Sequence, residues 1–131
     1  MADIQCLDLC KTYRQGDAEI HALDNVTLDI EPGSFICLSG PSGSGKTTLL
    51  NLIGGLDVPS SGRVVVAGQD LARVNGEERA RLRLDHLGFV FQAYNLIPVL
   101  SALENVEFVI LLQGVAEKER RERARAPSLL R

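Results

Sequence analysis

The sequence predicts an α/β fold, and three observations carry that prediction. The first thirty or so residues alternate apolar and polar in the manner of strands. A continuous apolar run, Phe35-Ile36-Cys37-Leu38, then leads through a glycine-rich loop into an apolar helical stretch. The second half holds two helix starts, each with a capping residue followed three positions later by a glutamate.

Taken in order, Ile4 to Leu9 reads as a strand, and Asn25 to Ile30 as another with Val26, Leu28 and Ile30 on one face. Glu31-Pro32-Gly33-Ser34 is a turn by composition. Phe35 to Leu38 has the unbroken apolar character of a strand buried on both faces of a parallel sheet. Thr47 to Ile53 reads as a short helix stopped by Gly54-Gly55. Pro59-Ser60-Ser61-Gly62 turns into a β-branched strand from Arg63 to Ala67. Asn75 and Glu78 open a helix running to about Leu87, and Gly88 to Gln92 is again strand-like. Ser101 and Glu104 open an apolar helix running to about Gln113. From Ala116 a charged helix follows, with Glu117–Arg121 and Glu119–Arg123 pairs, and Pro127 interrupts it.

At 131 residues and 45% apolar content the chain fits one domain with a modest core. Its net charge of −3 argues against nucleic-acid binding, which calls for a basic excess. No apolar run approaches the length of about 18 residues that a spanning helix needs. The start, Met-Ala-Asp-Ile-Gln, lacks the basic and apolar segments of a signal peptide, so a cytoplasmic location is expected. Three cysteines, Cys6, Cys10 and Cys37, suit reduced, partly buried thiols better than a disulfide framework. Cys6 and Cys10 would share a strand face, but no further ligands accompany them. Arg79, Arg81 and Arg83, with Arg120, Arg121, Arg123 and Arg125, are expected on solvated faces beside interleaved glutamates. His21 and His86 carry no motif support.

The chemistry lies in Gly40-Pro41-Ser42-Gly43-Ser44-Gly45-Lys46-Thr47, which matches the phosphate-binding pattern G-x-x-x-x-G-K-S/T. Its glycines let the backbone curl so that successive N–H groups point at phosphate oxygens. Lys46 brings a compact charge to the β- and γ-phosphates and is expected to have no structural role. Thr47 offers a hydroxyl to Mg²⁺. Thr48 follows as part of the same nucleotide-binding run, and the helix turns its positive N-terminal end toward the anion. Such a match arises by chance in roughly one chain in a few hundred. The apolar run before it and the helical stretch after it supply the required context.

The residues around the loop resemble the ABC transporter ATPases. Lys11-Thr12-Tyr13, Leu23-Asp24-Asn25-Val26 and Ile30-Glu31-Pro32-Gly33 precede the loop at family-like spacing. Leu56 to Gly62, Gly68-Gln69-Asp70-Leu71, Gly88-Phe89-Val90-Phe91-Gln92, Pro98, Leu100, Ser101 and Glu104-Asn105-Val106 follow it. The match runs from about Ile4 to Arg125, with wording most similar to the branch that includes lipoprotein-releasing and macrolide-export ATPases.

The resemblance implies an antiparallel β-subdomain, the first part of a parallel α/β core and the start of a helical arm. It divides the chain at about residue 92, with 1–92 holding the β-subdomain and loop, and 93–131 the helical start. It implies ATP and Mg²⁺ as ligands, with Tyr13 stacking on adenine. Gln92 would act catalytically on water and touch the metal together with Thr47. Glu104 would face a membrane subunit, although its capping role explains it equally well. The implied partners are membrane-spanning transporter subunits and a second ATP-binding subunit in a homodimer, on the cytoplasmic face of the membrane.

The sequence departs from the family after Arg125. It holds no Leu-Ser-Gly-Gly-Gln signature, no apolar strand ending in Asp-Glu and no switch histidine, and no aspartate follows Asp85. A truncated cassette is therefore expected, one that binds ATP without significant hydrolysis by itself. The alternative is a binding-only nucleotide module. A GTPase or small-molecule kinase is disfavoured because no Asn-Lys-x-Asp guanine motif occurs.

Overall fold

The computed structural model describes residues 2–126 and divides after Arg83 into two compact units. The first unit is a four-stranded antiparallel sheet with helices. Its strands are β1 (Ile4–Gln15), β2 (Ala18–Ile30), β3 (Ser61–Val66) and β4 (Gln69–Asp70), in the order β2-β1-β3-β4. Helix α1 (Lys46–Ile53) lies against β1, β2 and β3 and buries Leu49, Leu52 and Ile53. These meet Cys6, Leu9, Leu23, Val64 and Val66 in the apolar core.

β1 and β2 form one long hairpin in which Gln15 pairs with Ala18, around Gly16 at a φ of 63°. They extend well beyond the segments Ile4 to Leu9 and Asn25 to Ile30. The reason is a bulge: Asp8 takes a φ of 46° and the register shifts between Cys6 and Leu9. An inserted residue resets the two-residue alternation, so Cys6 and Leu9 are both fully buried although three positions apart. Cys10 consequently does not share the buried face of Cys6; its thiol faces Asn25 Oδ1 at 3.4 Å. Cys37 is exposed rather than partly buried. At the bulge β3 comes close, and a Cβ on Gly62 would sit 2.2 Å from the Asp8 carbonyl oxygen.

Two expected strands are not formed. Phe35 to Leu38 and Gly88 to Gln92 carry no sheet pairing, and Phe35 is 99% exposed. Among the described residues the sheet is wholly antiparallel and no segment pairs with either run. An apolar strand of a parallel core gains its burial and ladder bonds only from neighbours on both sides, which explains the difference.

Helix α2 (Gly76–His86) begins with the expected reciprocal cap. The Asn75 amide donates to Glu78 Oε2 at 2.8 Å and the Glu78 amide to Asn75 Oδ1 at 2.9 Å. Two arginines of α2 are not solvated. Arg83 Nη1 donates to the Gly55 carbonyl at 2.8 Å, and Arg79 Nη2 to the Leu71 carbonyl at 3.3 Å. Their guanidinium forks satisfy backbone carbonyls at the end of α1 and after β4.

The second unit holds α3 (Ala102–Leu112) and α4 (Glu117–Arg125). Ser101 caps α3 reciprocally with Glu104, and those hydrogen bonds hold the Glu104 carboxyl below its ordinary pKa. Asn105 ties down the preceding turn: Oδ1 accepts from the Ile97 amide at 2.8 Å, and Nδ2 donates to the Leu100 carbonyl at 3.1 Å. On α4 the pairs Glu117–Arg121 and Glu119–Arg123 form as expected. Arg120 departs from a solvated face, because it is largely buried 3.5 Å from Glu107 of α3. Pro127 lies outside the described residues. Among the described residues no helix is long and apolar enough to cross a membrane.

Candidate nucleotide site

The glycine-rich loop belongs to the first unit, and sheet and helix together set its ends. Gly45 takes a φ of 91°, and a Cβ there would lie 2.4 Å from the Ala22 carbonyl oxygen on β2. Only glycine lets the loop turn into α1 while lying this close to the sheet. Within the loop the Ser44 amide donates to the Pro41 carbonyl at 3.2 Å, with Gly43 at a φ of 80°. Gly45 has no side chain to cap α1, so the first amides of the helix remain available to an anion. Ser42 and Thr47 are exposed at the loop and first turn, and Thr48 is half-buried behind them.

Lys46 occupies the middle of this arrangement. Its ammonium donates to the Gly40 and Pro41 carbonyls at 2.7 Å each and to Ser44 Oγ at 3.1 Å. The expectation that Lys46 lacks a structural role is therefore corrected: it braces the loop that it serves. A flexible stem of four carbons lets the same charge leave neutral acceptors for a phosphate, whose oxygens accept more strongly. Gly40, Pro41 and Ser44 thus gather around the Lys46 ammonium at the start of α1.

Tyr13 lies on β1 and is 39% exposed. Its hydroxyl donates to Asp57 Oδ2 at 3.1 Å, and the Lys11 ammonium stands 5.0 Å from its ring centroid. Lys11, only 9% exposed, pairs with Asp57 at 2.9 Å and donates to the Val58 carbonyl at 2.7 Å. The Lys11 hydrogen bond is the main cause that holds the Asp57 carboxyl below its ordinary pKa, with the Val58 amide and the Tyr13 hydroxyl adding to it. Neither Lys11 nor Asp57 was assigned a role from sequence. The only available signal was a lysine two residues before Tyr13 and an aspartate in the Leu56 to Gly62 stretch.

Gln92 belongs to the second unit, exposed and in a stretch without regular structure. Nearby, Phe89 and Phe91 stack at 5.7 Å between centroids. Among the described residues no group of three or more His, Cys, Asp or Glu side chains could hold a metal ion.

Residues 23–130 match the protein family described as ABC transporter. That match covers most of the chain and contains the whole glycine-rich loop. The chain belongs to the ABC transporter family. Among its relatives is the macrolide export ATP-binding/permease protein MacB of Brucella abortus, 47% identical over 123 residues. That alignment takes in 94% of this ABC transporter chain but 19% of MacB. The uncharacterized ABC transporter ATP-binding protein MJ0796 of Methanocaldococcus jannaschii is 44% identical, with 92% of this chain and 53% of that protein covered. In three dimensions the chain matches the dimeric post-hydrolysis structure of the MJ0796 ATP-binding cassette bound to ADP and Pi. The TM-score is 0.87 at 44% identity, over 92% of this chain and 53% of that one. The chain thus spans about a fifth to about half the length of these relatives.

Proposed function

We propose that this chain is the ATP-binding part of an ABC transporter of the export type, holding the nucleotide's phosphates with Gly40 to Thr48. The observation that carries the reading is the Lys46 ammonium, held by two loop carbonyls and a serine hydroxyl at the uncapped start of α1. A cation and a set of helix-start amides converging on one loop suit a polyphosphate. The exposed Thr47 hydroxyl suits Mg²⁺, which binds oxygen ligands and keeps its remaining waters. Tyr13 offers its ring to adenine. Gln92 is the residue proposed to act on the metal-bound or attacking water.

ATP–Mg²⁺ bound in this way powers transport in the assembled protein. The partners proposed are a second copy of the ATP-binding subunit and membrane-spanning subunits on the cytoplasmic side of the membrane. The dimeric state of the MJ0796 cassette and the ATP-binding/permease name of MacB support this. So do the exposed apolar side chains Phe91, Tyr94, Leu96 and Val99 of the second unit. Phosphoryl transfer relies on positioning and on charge placed around the phosphates. We infer that the chain by itself binds ATP without significant turnover. That property is shared with the second reading, a binding-only module.

Calorimetric titration with ATP–Mg²⁺ tests the proposal. Lys46→Ala is expected to lose at least about tenfold in affinity, since a charge-assisted contact to phosphate disappears. Equal affinity of variant and parent overturns the phosphate-loop reading. Phosphate release at saturating ATP then separates the two readings. Lys46-dependent turnover in the chain joined to its transporter partners supports the first, and its absence there supports the binding-only module.

A further inference from the structure

The loop that leaves the end of α1 returns to β1 and is fastened along Cys10 to Tyr13. The Ser60 amide donates to the Cys10 carbonyl at 2.9 Å, and the Thr12 amide to Ser60 Oγ at 3.0 Å. These contacts tie the loop to β1. Asp57 adds something different, because its carboxylate engages both the Lys11 ammonium, at 2.9 Å, and the Tyr13 hydroxyl, at 3.1 Å. A lysine as buried as Lys11 is costly unless it is paired, so this charge has a specific use. Its ammonium lies over the Tyr13 ring, 5.0 Å from the centroid. The ring is therefore held at its hydroxyl and on one face, while Tyr13 remains 39% exposed.

This arrangement sits beside the phosphate loop. Lys11 pairs with Leu23 across the hairpin, and Gly45, the last loop residue before α1, packs against Ala22 and Leu23. Tyr13 is two residues along β1 from that contact. We infer that Asp57, together with Lys11, is a positioning residue that holds the Tyr13 ring as a fixed platform for the nucleotide base. The inference rests on the reading of Tyr13 as the base-stacking residue. A surface tyrosine free to rotate would have to be ordered when the base arrives, at a cost in affinity; one already held avoids it.

The test compares two probes on the full chain, ATP–Mg²⁺ and inorganic tripolyphosphate–Mg²⁺, which lacks the base. Tyr13→Ala is expected to weaken ATP binding about tenfold or more and to leave tripolyphosphate unchanged. Asp57→Ala should weaken ATP about three- to tenfold, again with tripolyphosphate unchanged, and Asp57→Glu should recover part of the loss. Tyr13→Phe, which keeps the ring but drops the hydroxyl contact, should fall between parent and Asp57→Ala. If Asp57→Ala weakens both probes equally, the carboxylate merely supports the fold and the inference is overturned. If Asp57→Ala binds ATP like the parent while Tyr13→Ala does not, the positioning role fails and the base platform stands. If Tyr13→Ala itself binds ATP like the parent, the platform reading fails and the inference falls with it.

Discussion

Two apolar segments of this chain look alike in sequence and meet opposite fates. The β1 segment from Ile4 to Leu9 is paired on both sides, by β2 and β3, and its Cys6 and Leu9 are fully buried. The segment Phe35 to Leu38 is more continuously apolar, yet it pairs with nothing among the described residues and leaves Phe35 99% exposed. Apolar content makes a strand possible, but backbone partners make it real, because unpaired N–H and C=O groups cannot be buried without cost. The β1 segment finds its partners within the chain, in a hairpin and in the strand after α1. The Phe35 run finds no such partner among the described residues.

The sharpest way to break this comparison is truncation of one apolar side chain in each segment. Leu9→Ala should cost about 2–5 kcal/mol in urea denaturation, the range for emptying a packed core site. Phe35→Ala should change stability by no more than about 0.5 kcal/mol, as for exposed positions. Equal losses would mean that the Phe35 run is packed in solution and that the contrast is false.

A smaller effect probes the bulge that rescues β1. Gly62→Ala puts a Cβ 2.2 Å from the Asp8 carbonyl oxygen, at a φ of 82° that side chains rarely adopt. A loss of about 1–3 kcal/mol is expected by the same measurement. An unchanged midpoint would show that the close contact between β1 and β3 is not needed for pairing.

Next in size is a local device that needs no distant partner. Ser101→Ala removes the cap of α3 and should cost about 1 kcal/mol, read as lost stability and a small loss of helical circular dichroism.

The smallest effect concerns pH. The Asp57 carboxyl is held below its ordinary pKa in the folded chain, chiefly by the Lys11 hydrogen bond. A depressed folded pKa means the contribution is fully present above the unfolded value, near 4, and is lost as pH falls through the lower folded value. Stability should therefore decline with acid more steeply in the parent than in Asp57→Asn. With Asp57 about a third exposed, solvent screening keeps the difference modest. Superimposable pH profiles of parent and variant would show that the Lys11–Asp57 tie contributes nothing to folding.

Legibility from sequence followed the range of the interaction. Both reciprocal caps, Asn75 with Glu78 and Ser101 with Glu104, were readable because all their atoms lie within four residues. The turn at Gly54-Gly55 that ends α1 was readable for the same reason, Gly55 taking a φ of 64°. The hairpin beyond Leu9 was not, since the bulge at Asp8 broke the alternation that marks a strand. Its signal was Gly16-Asp17, a tight-turn pair between the two extended arms. Arg79 and Arg83 were misread because a helix full of charge looks solvated until the carbonyls of another element come within reach.

What the sequence by itself determined is the set of local geometries: the glycines that let the phosphate loop curl, the lysine and threonine that follow them, the helix starts and the turns. Each depends on backbone freedom or on a bond closed within one turn of chain. Tertiary structure alone decided which apolar runs became strands, that Lys46 braces its own loop, and that Asp57 reaches back to Lys11 and Tyr13. Partners such as Asp57 and Tyr13 lie far apart along the chain. Their pairing depends on how the sheet and α1 pack, and no local pattern of residues encodes that distance.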